Sequence, residues 1–178
     1  MTLQSMAVSE ELYKTLLARY HDGVVKEPHL LDANIAEFIT RVNEINGVVT
    51  TFCCEGHTRG EKGKESKVEN SSNLKVRGYV TIAIRKNNLT FIDAIHEFLM
   101  QYREQEFMDI RVELSRLRLS GITGNIKDRD IYYPVLAIEF YYLVNQDRER
   151  IKFKRILSDM NDHIDRHYGL DTRLTNEQ

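Results

Sequence analysis

Between Pro134 and Val144 the chain carries its longest apolar run, broken by Glu139 and rich in tyrosine. A membrane-spanning helix takes about 20 apolar residues, so this run is far too short for one and reads instead as a buried strand. No other run comes closer to that length, and no membrane partner is expected.

Three further segments join it. Val48 to Cys54 reads as a strand, and so does Leu74 to Arg85, where Val80, Ile82 and Ile84 alternate. Ile110 to Leu119 is the next. Its apolar phase slips from Ile110, Val112 and Leu114 to Leu117 and Leu119, which predicts a bulge near Ser115 or Arg116. Helices fall between and around these strands. Ser9 caps one from Glu10 to about His21, with both acidic residues in its first turn and a stop at Asp22-Gly23. A second follows Asp32 and carries the stripe Ile35, Phe38, Ile39, Val42 and Ile45, closed by Gly47. Thr90 opens a third, with Asp93 three residues on. The last runs from about Arg148 to Tyr168 and ends at Gly169.

The order is therefore ααββαββα, and its second half looks like two ββα units in tandem. Hairpins with return helices predict an α+β fold, a mostly antiparallel four-stranded sheet with helices packed on one face. With 178 residues, 42% of them hydrophobic, the chain suits one domain over 1–178. Residues 1–31 form a helical extension, and 55–73 form a polar loop whose glycine, serine and lysine content suits mobility. A net charge of −2 argues against wholesale nonspecific binding to DNA or anionic lipid and leaves room for a local basic patch. The two cysteines, Cys53 and Cys54, are adjacent and would point to opposite faces of a strand, so a bridge between them would be strained. Reduced thiols and an N-terminus without a signal-peptide pattern suit the cytoplasm.

Strand alternation sorts the side chains. Phe52, Cys54, Val80, Ile82, Ile84, Ile110, Val112, Leu114, Leu136, Ile138 and Phe140 are expected on the helix-covered face. Thr51, Cys53, Tyr79, Thr81, Arg85, Arg111, Glu113, Glu139 and Tyr141 fall on the other, a far more polar set. One reading of that set is a solvated face with cross-strand ion pairs such as Arg111 with Glu139. The other is a ligand or subunit surface.

Where the first strand ends, the residues Cys53, Cys54, Glu55, Gly56, His57, Thr58, Arg59 and Gly60 run into a glycine-punctuated loop. A strand end fixes the root of such a loop, glycine allows close backbone approach, and backbone N–H groups with Thr58, Arg59, Lys62 and Lys64 suit an anion. Cys54 and His57 also have a Cys-x-x-His spacing, and His163 and His167 lie i, i+4 on the last helix. Together these four would supply zinc ligands. Cys53 or Cys54 with His57 would supply a thiolate nucleophile, Cys53 being the better exposed by phase.

Thr50-Thr51-x-x-Cys54-x-Gly56 resembles the Thr-Thr-Ser-Ser-Cys-Ser-Gly-Arg motif of the wybutosine-synthesis tRNA methyltransferase family, the third enzyme of that pathway. Phe52 and Cys53 stand where that motif has two serines, Glu55 where it has a third, and His57 where it has arginine. The stretch from Cys53 to His57 is similar, too, to a Ser-Cys-Glu-Gly-His sequence in uncharacterised bacterial and phage proteins. The first resemblance implies S-adenosylmethionine as cofactor and a tRNA substrate.

Three functions follow as expectations. The first is binding of a phosphate-bearing small molecule, a nucleotide or a short RNA, possible in a phage-type protein. The loop and polar face would hold it, with Arg59, Lys62, Lys64, Arg85 and Arg111 supplying charge and Tyr79 or Tyr141 a stacking surface. The second is an S-adenosylmethionine-dependent RNA-modifying enzyme. The third is an interaction module whose polar face forms a homodimer.

Overall fold

The computed structural model describes residues 6–25, 33–54, 75–103, 109–143 and 147–169. The first helix, α1, covers Glu10–Tyr20. Ser9 caps it by accepting from the Leu12 N–H at 3.2 Å, and a π-type turn extends it over His21–Val25. Then come α2 (Ala36–Glu44), β1 (Val48–Cys54), β2 (Lys75–Ile84), α3 (Thr90–Arg103), β3 (Asp109–Arg118), the single turn α4 (Ser120–Thr123), β4 (Tyr132–Leu143) and α5 (Asp147–Tyr168). Gly47, at φ 88°, makes the turn between α2 and β1. Its N–H donates to the Tyr13 hydroxyl at 3.1 Å, and a side chain there would meet Asn87 and Asn88.

All four strands form one antiparallel sheet in the order β1-β2-β4-β3. The two hairpins therefore join through their second strands, leaving β1 and β3 at the edges. This placement explains the apolar run in β4: an inner strand is covered on both sides, and Tyr133, Val135, Leu136, Ile138 and Phe140 are all buried.

α2, α3 and α5 pack on the face of Ile82, Ile138 and Phe140. Phe153 of α5 meets the Phe140 ring edge-on at 5.3 Å, a contact of the kind that favours aromatic pairs. Arg41 of α2 donates to both carboxylate oxygens of Asp165 on α5 at 2.5 and 2.6 Å, a forked pairing that sets one helix against the other. At the same end of α5, the Tyr168 hydroxyl donates to Asn88, whose amide donates to the Asn46 carbonyl just before β1. α1 lies against β1, and Val8 adds a bridge to Arg85. Val49 and Ala83, paired across β1 and β2 on the face away from α5, are fully buried, so this end of the sheet is covered on both sides.

The bulge lies in β1, not in β3. β3 pairs with β4 without a shift from Asp109 to Arg118. The slip to Leu117 needs no bulge, because Leu117 stands opposite Tyr133 on the second face, which has its own apolar packing. In β1 the register moves between Thr50 and Phe52: Thr50 faces Ile82 and Phe52 faces Thr81, leaving Thr51 as the extra residue.

Candidate functional site

That one extra residue reverses the phase of everything after it. Cys53 now stands opposite Val80 and packs against the core on the α5 side. Phe52 and Cys54 align with Thr81 and Tyr79 on the polar face. The expected assignment of Phe52 and Cys54 to the helix-covered face, and of Cys53 to the polar one, is thus inverted. Simple alternation holds only while the ladder has equal residue counts on both strands. Thr51 and Thr81 keep the bulge in place. Their hydroxyls are 2.9 Å apart, and the Thr81 hydroxyl accepts from the Phe52 N–H at 3.1 Å.

With the bulge included, register draws one row across all four strands: Cys54 on β1, Tyr79 on β2, Glu139 on β4 and Arg111 on β3. Two residues along lies Phe52, Thr81, Ala137 and Glu113, and on the other side lie Arg77, Tyr141 and Asp109. So Tyr79, Arg111, Glu113, Glu139 and Tyr141 occupy one patch of one face, and Cys54, the last residue of β1, is in register beside it.

Glu139 is the buried centre of this patch, 3% exposed, and its carboxylate accepts the Tyr141 hydroxyl at 2.6 Å. Burial of a carboxylate in mid-sheet is costly without such donors, so Glu139 and Tyr141 hold each other in position. The Arg111 guanidinium lies over the Tyr141 ring, 5.9 Å from its centroid, with the arginine itself exposed. Tyr79 and Tyr141 are half-buried. The patch thus presents two aromatic faces and a cation above a carboxylate that anchors one of them. This combination suits stacking of a planar ring and pairing with an anion.

Two other candidates lie elsewhere. Arg85 is at the far end of β2, where it pairs with Glu10 at 2.8 Å and covers the Tyr13 ring at 5.0 Å; it docks α1 onto the sheet. His163 and His167 are at the α3–α5 contact. The His163 ring lies 5.8 Å from that of Phe98, and His167 Nδ1 is 4.0 Å from Glu97. Their end of α5 is tied through Tyr168 and Asn88 to the start of β1. Among the described residues no group of His, Cys, Asp or Glu is arranged to hold a metal ion. Glu55, Gly56, His57, Thr58, Arg59, Lys62 and Lys64 lie outside the described residues.

The face sets further limits at its other end. Tyr133 is buried, and its hydroxyl has no hydrogen-bond partner among the described residues. Burial pushes its phenol up to about 12, which the nearby Thr51 hydroxyl and the Arg19 charge offset only in part.

These features define an α+β protein with a four-stranded antiparallel sheet and a polar patch at the open end of its second face. Among the described residues no helix is long and apolar enough to cross a membrane. The chain is similar to the solved PH1069 protein from Pyrococcus horikoshii, with 12% identity, 92% of this chain and 91% of that chain covered, and a TM-score of 0.36. No protein family and no curated protein matches it.

Proposed function

We propose that this chain binds a nucleotide-like anionic ligand, free or as part of a short RNA, on the patch formed by Tyr79, Arg111, Glu113 and Tyr141 over Glu139. The observation that supports this is the convergence of Tyr79, Glu139, Arg111 and Tyr141 on one face, in register with the end of β1. In this reading a base stacks on Tyr79 or Tyr141, and Arg111 pairs with a phosphate. Glu139 acts through Tyr141, which it orients. The expected anion-binding residues Glu55, Gly56, His57, Thr58 and Arg59 follow β1 in the chain and lie outside the described residues.

Calorimetric titration with nucleoside monophosphates and with a short single-stranded RNA tests this, alongside native mass spectrometry of freshly purified protein for a co-purified nucleotide. Saturable heat with at least one probe, reduced by Arg111→Ala, is the expected result. No heat from any of these probes, with no retained nucleotide, overturns the reading.

A second reading is an S-adenosylmethionine-dependent tRNA-modifying enzyme. What favours it is that the bulge aligns Cys54 with Tyr79, and Cys54 is the cysteine matched in the motif resemblance. The same calorimeter separates the two: S-adenosylmethionine binds under the second reading and gives no heat under the first.

A further inference from the structure

β3 ends the sheet, and among the described residues its only strand partner is β4. An edge strand presents a row of backbone donors and acceptors to which another strand adds. From Ile110 to Leu114 its side chains alternate cleanly. Ile110, Val112 and Leu114 share the face covered by α5, and Arg111 and Glu113 share the polar face. The helix layer stops short of this edge: Leu114 is 47% exposed, although its neighbour Leu136 on β4 is 2% exposed. Arg111 and Glu113 are exposed too. From Ile110 to Leu114 an apolar row is left half-covered beside charges of both signs, which offers an added strand apolar contact on one face and charge complementarity on the other.

We propose that a second copy of this chain adds antiparallel to the β3 edge, with the twofold axis through Val112. In that register Arg111 of one copy stands opposite the partner's Glu113, twice by symmetry, and Ile110 stands opposite the partner's Leu114. Of the neighbouring symmetric registers, centring on Ile110 sets Arg111 opposite the partner's Asp109 but places Leu114 beyond the first residue of the partner's β3. Centring on Arg111 or on Glu113 sets that charge against its own copy, and centring on Leu114 sets Arg111 against the partner's Leu117. Slipping by a single residue sets charged positions against apolar ones. The chosen register alone pairs opposite charges on one face and covers Leu114 on the other. The two polar patches then lie side by side on one continuous sheet. The pairing requires no ligand, so it stands or falls apart from the binding reading above.

Sedimentation equilibrium of the full chain over a wide concentration range tests it. The expected result is a dimer mass at high concentration. Glu113→Arg and Arg111→Glu should each weaken the dimer at least tenfold by setting like charges opposite each other, and the double exchange R111E/E113R should restore it. Circular dichroism melts report that each variant is folded; these exposed positions supply two independent single reversals, so one poorly folding variant does not decide the matter. A monomer at every concentration overturns the proposal. A dimer indifferent to both reversals, or one not recovered by the double exchange, overturns the register and with it this surface.

Discussion

The Thr51 and Thr81 hydroxyls are 2.9 Å apart across the β1–β2 ladder, and between them they hold the extra residue of β1 in place. Thr81 is buried, and its hydroxyl also accepts the Phe52 N–H. Replacing Thr81 with valine keeps the shape and removes that acceptor, so it should cost about 1–3 kcal/mol, as expected when a buried donor loses its partner. A urea melt measures this. An unchanged midpoint would mean that strand pairing alone maintains the bulge.

Arg111 and Arg85 should respond oppositely to alanine. Arg111 is exposed over Tyr141 at the patch, so Arg111→Ala should change stability by no more than about 0.5 kcal/mol while lowering nucleotide affinity about tenfold, the loss expected for one charge-assisted contact. Arg85 pairs with Glu10 and covers Tyr13. Arg85→Ala should lower stability by about 1 kcal/mol, through the lost ion pair and ring contact, and leave affinity unchanged. Paired melts and titrations of the two variants check this reversal.

His163 makes stability depend on pH. It is buried against Phe98, and burial, aided by the Arg166 charge, lowers its pKa below the ordinary 6.5; Glu97 and the Ala94 carbonyl oppose this. His167 adds to the lowering. The folded protein therefore binds this proton less readily than the unfolded chain. The contribution is full above 6.5 and is lost as pH falls from there through the folded value. Urea unfolding of the parent and of His163→Gln at pH 7.5 and 5.5 isolates it: the parent should lose more stability on acidification than the variant. Equal losses would show that His163 titrates alike in both states.

Tyr133 carries a buried hydroxyl without a hydrogen bond among the described residues. Tyr133→Phe removes a polar group that gains nothing from being buried, so stability should hold or rise by up to about 1 kcal/mol. In the parent, phenolate absorbance should develop only near pH 12 at this residue, and the late phase should be missing from the variant. A stability loss beyond 1 kcal/mol, by the same scale, would reveal a bond made by that oxygen.

Most element boundaries were legible because periodicity and caps are local. Ser9 before Glu10, the stripe Phe38, Ile39 and Val42, Gly47 and Gly169 all mark features that form where they stand. Tyr79, Arg111, Glu113, Glu139 and Tyr141 could be assigned to one face from alternation alone, and the ladder keeps them there. Arg85 shares their parity but not their neighbourhood, since parity says nothing about position along a strand. The pairing of Cys54 rather than Cys53 with the polar face was hidden. The phase break at Thr51 comes from cross-strand hydroxyl bonding, and Phe52, Cys53 and Cys54 carry no alternation strong enough to reveal it.

From residue order alone came the helices, the four strands, their tandem hairpins and the two-sided character of the sheet, since each depends on side chains a few positions apart. Which strands became inner and outer, and where the ladder gained its extra residue, were decided only by tertiary pairing. Those outcomes rest on contacts between segments distant in the chain, such as Thr51 with Thr81 and Arg111 over the Tyr141 ring, whose energies no local pattern encodes.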